Sequence, residues 1–165
     1  MTSPRVRGYI EKRITVPGNL LQACEEFNSG KYYECHETLE EIWQEEEGEV
    51  RDLYKGLIQV AAAFVHISRG GYKGANRLLG TAVGYLQPYR RDGALGFDVE
   101  ALCRAAEAAH ERVLQLGPGG VVNEPGMAPV WTCDLSKLPG EARRWRAWGF
   151  DSQGNALEME IRIPD

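Results

Sequence analysis

Between residues 19 and 117 apolar positions recur three and four apart, the spacing that gathers side chains on one face of an α-helix. Pro17 and Gly18 precede Asn19, whose side chain can cap a first short helix running to Phe27, and Asn28-Ser29-Gly30 ends it. A second helix, Tyr32 to Glu47, aligns Tyr32, Cys35, Leu39, Ile42 and Trp43, and Gly48 closes it. The third, Glu49 to Arg69, is apolar almost all round through Leu53, Tyr54, Leu57, Ile58, Val60, Ala61, Phe64, Val65 and Ile67, as expected of a central helix. After Gly70-Gly71 a fourth helix aligns Ala75, Leu78, Leu79, Ala82, Leu86 and Tyr89, with Gly80 and Gly84 expected to let a neighbour approach closely. Asp98 is placed to cap a fifth helix, with Phe97 and Leu102 as a hydrophobic staple, and that helix fades near Gly117.

From Pro118 onward five prolines and six glycines punctuate 48 residues and the helical period is lost. Leu157, Met159, Ile161 and Ile163 then alternate with charged residues in a strand pattern, after a turn at Ser152-Gln153-Gly154-Asn155 and with Arg144 to Phe150 as the partner strand. The expected fold class is all-α, a compact antiparallel bundle of about five helices with a small C-terminal β-hairpin appendage. The expected organisation is an arm over 1–18, a helical domain over 19–117, and an extension over 118–165 that packs on the bundle through its apolar strand face and Trp131, Trp145 and Trp148.

A length of 165 residues with 43% hydrophobic and 26% charged residues belongs to a single globular domain, neither disordered nor fibrous. The longest apolar stretch, about residues 56 to 67, is too short to cross a bilayer, and the first ten residues carry no apolar signal core, so a cytoplasmic location is expected. Cys24, Cys35, Cys103 and Cys133 form no CxxC pair and read as reduced, mostly buried thiols. The net charge of −5 disfavours a nucleic-acid binder, but it is unevenly spread: residues 19–49 hold ten acidic residues and Lys31 alone as base, whereas 50–92 hold seven basic and two acidic ones. Arg51, Arg69, Lys73 and Arg77 are therefore expected to neutralise part of the acidic helix, within or between subunits.

The candidate chemistry sits on the second and third helices. His36 and Glu40, four apart, share a helix face and could together hold a divalent cation, although the second histidine of the HExxH zinc motif is absent. On the third helix Asp52, Lys55, Gln59 and His66 draw a narrow polar stripe, and Gln59 and His66, two turns apart, must face something polar. In an antiparallel hairpin the expected partner is the His36/Glu40 edge, so that two histidines, a glutamate and a glutamine converge. The acidic run Glu45-Glu46-Glu47 reads as a solvated helix end, the pair Glu107/His110 as an exposed one, and Arg143 to Trp148 as packing tryptophans with outward arginines.

The run FNSGKYYECHETLEEIW, followed by YKGLIQVAAAFVHISRGGYKGANRLL, resembles the family called domain of unknown function 309. Phe27, Gly30, Glu34, His36, Glu37, Glu40 and Trp43 match its first block, and Gly56, Leu57, Ile58, Gln59, His66, Gly74, Ala75, Leu78 and Leu79 its second; Gly71 stands where members usually carry Asn. The resemblance covers about residues 20–90. It implies an all-α fold and the label of a predicted metal-dependent hydrolase.

Two functions are compatible with these residues. In the first, His36, Glu40 and His66 hold zinc, iron or manganese, Gln59 and Trp43 contact a small-molecule substrate, and Glu37 or Glu34 serves as the general base of a hydrolase. In the second, the protein is a non-catalytic helical module that binds a partner or a copy of itself as a homo-oligomer, and the buried His/Glu/Gln cluster is structural. Neither reading expects a nucleic acid or a membrane as partner.

Overall fold

The structure, a computed structural model, describes residues 10–15, 18–46, 50–91, 93–133, 140–141, 144–150 and 156–162, with side-chain surroundings for 19–46, 50–91 and 93–133. Within the part described with side chains it is all-α. Five helices follow one another: α1 (Gly18–Asn28), α2 (Tyr32–Glu45), α3 (Arg51–Ser68), α4 (Tyr72–Leu86) and α5 (Val99–Leu116), with a 3-10 turn at Gln87–Tyr89. Their order and limits follow the expected ones to within about two residues, and the joint at Gly48 lies outside the described residues.

The ends are set by local chemistry. Gly30, at φ +78°, takes the left-handed conformation that closes α1, and its N–H donates to Phe27 O. Gly70, at φ +72°, does the same for α3, where the Gly71 N–H donates to His66 O at 2.7 Å. Asp98 caps α5 as its position predicts, its Oδ1 accepting from the Ala101 N–H at 3.0 Å. Phe97 and Leu102, the expected staple, are both buried.

Successive helices are neighbours, α1 on α2, α2 on α3, α3 on α4 and α4 on α5. Short connections make the first three pairs antiparallel. Helix α3 is the central element, as its all-round apolar surface requires: Leu53, Tyr54, Leu57, Val60, Ala61, Ala63, Phe64 and Ile67 are fully buried. A close approach of α3 to α4 is made by Gly56, where an added Cβ would lie 2.6 Å from the Leu86 side chain. Gly80 and Gly84, expected to play that part, do not: a Cβ on Gly80 would touch His110 at an ordinary 3.4 Å, and one on Gly84 would meet nothing within 4 Å.

The core does not stop at the end of α5. The chain after Gly117 returns across the bundle and places Val121 and Trp131 inside it, with Trp131 stacked on Phe27 at 4.1 Å and 8° and set edge-on to Phe97. Phe27 in turn meets Tyr32 and Phe64 edge to face, so one aromatic cluster joins α1, α2, α3 and the returning segment. The strand segments β1 (Ile10–Thr15), β2 (Gly140–Glu141), β3 (Arg144–Phe150) and β4 (Ala156–Arg162) are described by their backbone alone. The apolar hairpin face that the sequence expects to dock on the bundle therefore falls outside the residues described with side chains.

Candidate functional site

Helix α2 delivers the first pair as its spacing predicts. His36 Nε2 lies 3.3 Å from Glu40 Oε1, one turn away, with His36 about a quarter exposed and Glu40 about half. The other ring nitrogen, Nδ1, is shielded from solvent and has no hydrogen-bond partner among the described residues. The Tyr33 ring lies 6.2 Å from the imidazole at an interplanar angle of 25° and is itself half exposed. The Tyr33 hydroxyl bonds to the Glu37 carboxylate, which raises its pKa above the ordinary tyrosine value, while Arg69 acts in the opposite sense. Glu34, Glu37 and Glu41 are exposed, on the outer side of the helix.

Gln59 and His66 of the α3 stripe turn to the other neighbour. The Thr81 hydroxyl on α4 donates to Gln59 Oε1 at 2.5 Å. His66, exposed at the far end of the stripe, lays its imidazole over Gly74 of α4, where a Cβ would come within 2.5 Å of Nδ1. The two contacts share one register: Gln59 and His66 are seven apart on α3, Thr81 and Gly74 seven apart on α4, and an antiparallel pair sets 59 opposite 81 and 66 opposite 74. Gly74 thus answers the close passage of a histidine ring, and Thr81 supplies a hydroxyl to a half-buried glutamine.

The expected convergence of His36, Glu40, Gln59 and His66 is not formed. Across α2 and α3, Tyr32 meets Phe64 and Trp43 meets Arg51 and Lys55, so His36 stands level with about residue 60. His66 is six residues further along, a displacement of about 9 Å at 1.5 Å per residue, and on the α4 side of the helix. A zinc, iron or manganese ion held by residues 36, 40 and 66 does not fit this arrangement, because His36 and Glu40 supply two ligands and His66 stands apart. Among the described residues no group of three or more His, Cys, Asp or Glu is placed to hold a metal ion.

Trp43, assigned with Gln59 to substrate contact, is packed against the core, and two cations cover its ring: the Arg51 guanidinium at 4.0 Å and the Lys55 ammonium at 4.6 Å. Arg51, expected to answer the acidic residues of α2, thus meets an aromatic face. The pair Glu107 and His110 also separates, Glu107 accepting from Arg90 at 2.8 Å and His110 bonding to Asn76 at 2.6 Å. Thr81 was not singled out from the sequence, and Gly74 was named only as a match to the family's second block, although their seven-residue spacing matches that of Gln59 and His66.

Residues 20–78 match the family described as Domain of unknown function (DUF309), bearing out over that stretch the resemblance drawn from the motifs. An uncharacterized protein of Bacillus subtilis (strain 168), YpuF, is 37% identical over 84 residues, half of this chain; the chain spans about half, 48%, of that relative's length. No solved structure matches the chain. Neither the family description nor the relative's name states an activity. No helix among the described residues is long and apolar enough to cross a membrane.

Proposed function

We propose that the protein is a non-catalytic helical module that binds a partner or a second copy, with His36, Glu40, Gln59 and His66 serving its architecture. The observation that carries this reading is the α3–α4 register, in which Gln59 and His66 are each committed to a residue of α4. A hydrolase would need those two groups on the α2 side with His36 and Glu40. The metal-dependent hydrolase reading rests on the spacing of His36, Glu40 and His66 in the sequence and on the label that the resemblance carries. A cytoplasmic location goes with the module reading, supported by the free thiols of Cys24, Cys35 and Cys103.

The same reading takes the C-terminal extension as a hairpin that covers part of the bundle. Its support is the alternation of Leu157, Met159 and Ile161 and the backbone register that sets them opposite Gly149, Ala147 and Trp145. On that register Leu157, Met159, Ile161 and Trp145 share one face, which a free tail would expose, while Trp148, opposite Glu158, falls on the other.

Elemental analysis of the purified protein after reconstitution with zinc, iron or manganese tests the central claim. The expected result is less than stoichiometric metal and a melting temperature that a chelator leaves in place. One equivalent of metal that is lost in His36→Ala would overturn the reading and restore the enzyme.

A further inference from the structure

We propose that the basic outer face of α4 is a docking surface for the acidic outer face of α2 on a second copy of the chain. The inference rests on the reading of the protein as a binding module and names the partner of that module. It begins with charges that find no answer inside the chain. Lys73 and Arg77, expected to neutralise the acidic helix, are exposed and meet no carboxylate among the described residues, and Glu37 and Glu41, also exposed, meet no base there. The ion pairs described lie within α2 or involve α5.

The burial pattern fixes which residues each helix turns outward. Helix α4 buries Ala75, Leu78, Leu79, Ala82 and Leu86, so at about 100° per residue its outermost line runs through Lys73, Arg77, Gly80 and Gly84. Beyond the two cations that line is bare backbone: a Cβ on Gly84 would meet nothing within 4 Å, and one on Gly80 would make only an ordinary contact with His110. Another helix can approach closely there. Helix α2 buries Cys35, Leu39 and Ile42, and its outermost line runs through Tyr33, Glu37, Glu41 and Gln44, with Tyr33 52% exposed.

The two lines match in antiparallel register. Lys73, Arg77 and Thr81 ascend α4 in steps of four residues, about 6 Å each, and Glu41, Glu37 and Tyr33 descend α2 in the same steps. A copy of α2 laid on α4 therefore sets Glu41 opposite Lys73, Glu37 opposite Arg77, and Tyr33 opposite Gly80 and Thr81. Both charge pairs attract, and the aromatic ring falls where a glycine leaves room for it. Within one chain α3 packs between α2 and α4, so the complementary face has to come from a second copy. A contact of two helix faces lies at the small end of interface sizes, below about 1,200 Å², and exposed pairs contribute about 0–1 kcal/mol each, so the association is weak and sensitive to salt.

The test measures the mass of the full chain by sedimentation velocity, from about 10 µM to about 1 mM protein and at ionic strengths of about 0.01 M and about 1 M. The expected result is an average mass that rises with concentration at low salt and stays monomeric at high salt. Lys73→Glu with Arg77→Glu should abolish the rise, and so should Glu37→Lys with Glu41→Lys, while each variant melts close to the wild type because all four positions are exposed. Mixed one to one, the two variants should associate again, since the reversed α4 of one meets the reversed α2 of the other. That rescue excludes misfolding as the cause of the loss. A wild type that remains a monomer at low salt, a variant of either face that associates as the wild type does, or a mixture that stays monomeric would overturn the proposal. Those results leave the module reading standing, whereas stoichiometric metal would remove the module reading itself.

Discussion

The side chain of Asn28 holds both backbone groups of Trp131, 103 residues away, accepting from its N–H and donating to its carbonyl at 2.8 Å each. A carboxamide is the side-chain group that can do this, since it carries a donor and an acceptor at the spacing of a peptide unit. The pair ends α1 and anchors the chain after α5 in one interaction. Asn28→Ala leaves both Trp131 groups unpaired, and because position 28 is open to water the expected loss is about 1–2 kcal/mol, toward the lower part of the range for stranded groups. Trp131→Ala, which empties a core site, should cost about 3–5 kcal/mol. Urea denaturation of both variants checks the order, and an Asn28→Ala protein as stable as the wild type would count against the anchor.

Two glycine substitutions should act with opposite sign. At Gly56 an alanine Cβ would stand 2.6 Å from Leu86 Cγ and Cδ2 and 3.4 Å from Ala82 O, and Leu86 is itself fully buried, so it cannot swing clear. Overpacking of this kind costs about 1–3 kcal/mol, more than the helix propensity that alanine brings. Gly84 sits within α4 with open space around it, and Gly84→Ala should stabilise by about 0.5–1 kcal/mol. Thermal melts of the two variants should shift in opposite directions.

The helices were legible because each carries its own signal of period and punctuation, down to the Asp98 cap and the glycines that close α1 and α3. The destination of the polar stripe was not. A helical wheel gives the angle of Gln59 and His66 around α3, but a central helix has neighbours on both sides of that angle, and the wheel does not say which one answers. The deciding information lay on α4, where Gly74 and Thr81 repeat the seven-residue spacing with the small side chain and the hydroxyl that a histidine ring and a glutamine need. That Trp131 packs on the bundle was legible, but not where on the bundle Trp131 docks. The segment that carries it has no period at all, and its placement depends on side-chain contacts with α1 more than a hundred residues earlier in the chain.

The ion-pair group on α5 should make stability depend on pH in acid. Glu100 accepts from Arg90 Nε at 2.5 Å and from Arg104 Nε at 2.7 Å, and Arg90 also reaches Glu107. The bond from Arg90, then that from Arg104, holds the Glu100 pKa below the usual carboxylate range. A carboxylate with a lowered folded-state pKa contributes its full stability above its unfolded value and loses it as pH falls through the folded one. Wild type and Glu100→Gln should therefore differ most in melting temperature near neutral pH and converge below the carboxylate range. The pairs are solvent-exposed, so added salt should narrow the same difference.

Trp43 separates the two functional readings in a way that needs no ligand. As a substrate platform it would contribute little to the fold, whereas the structure packs it on the core with Arg51 at 4.0 Å and Lys55 at 4.6 Å over its ring. A cation over an indole at a partly exposed site contributes about 0.5–1 kcal/mol beyond the packing of its stem. A double-mutant cycle with Trp43→Leu and Arg51→Gln should return a coupling of about that size, and the cycle with Lys55→Gln a smaller one, because its nitrogen is further from the ring. Equilibrium unfolding in urea gives the four stabilities that each cycle needs. Additive losses in both cycles would show that the cations do not hold the ring, and would return Trp43 to the surface as a group available to a ligand.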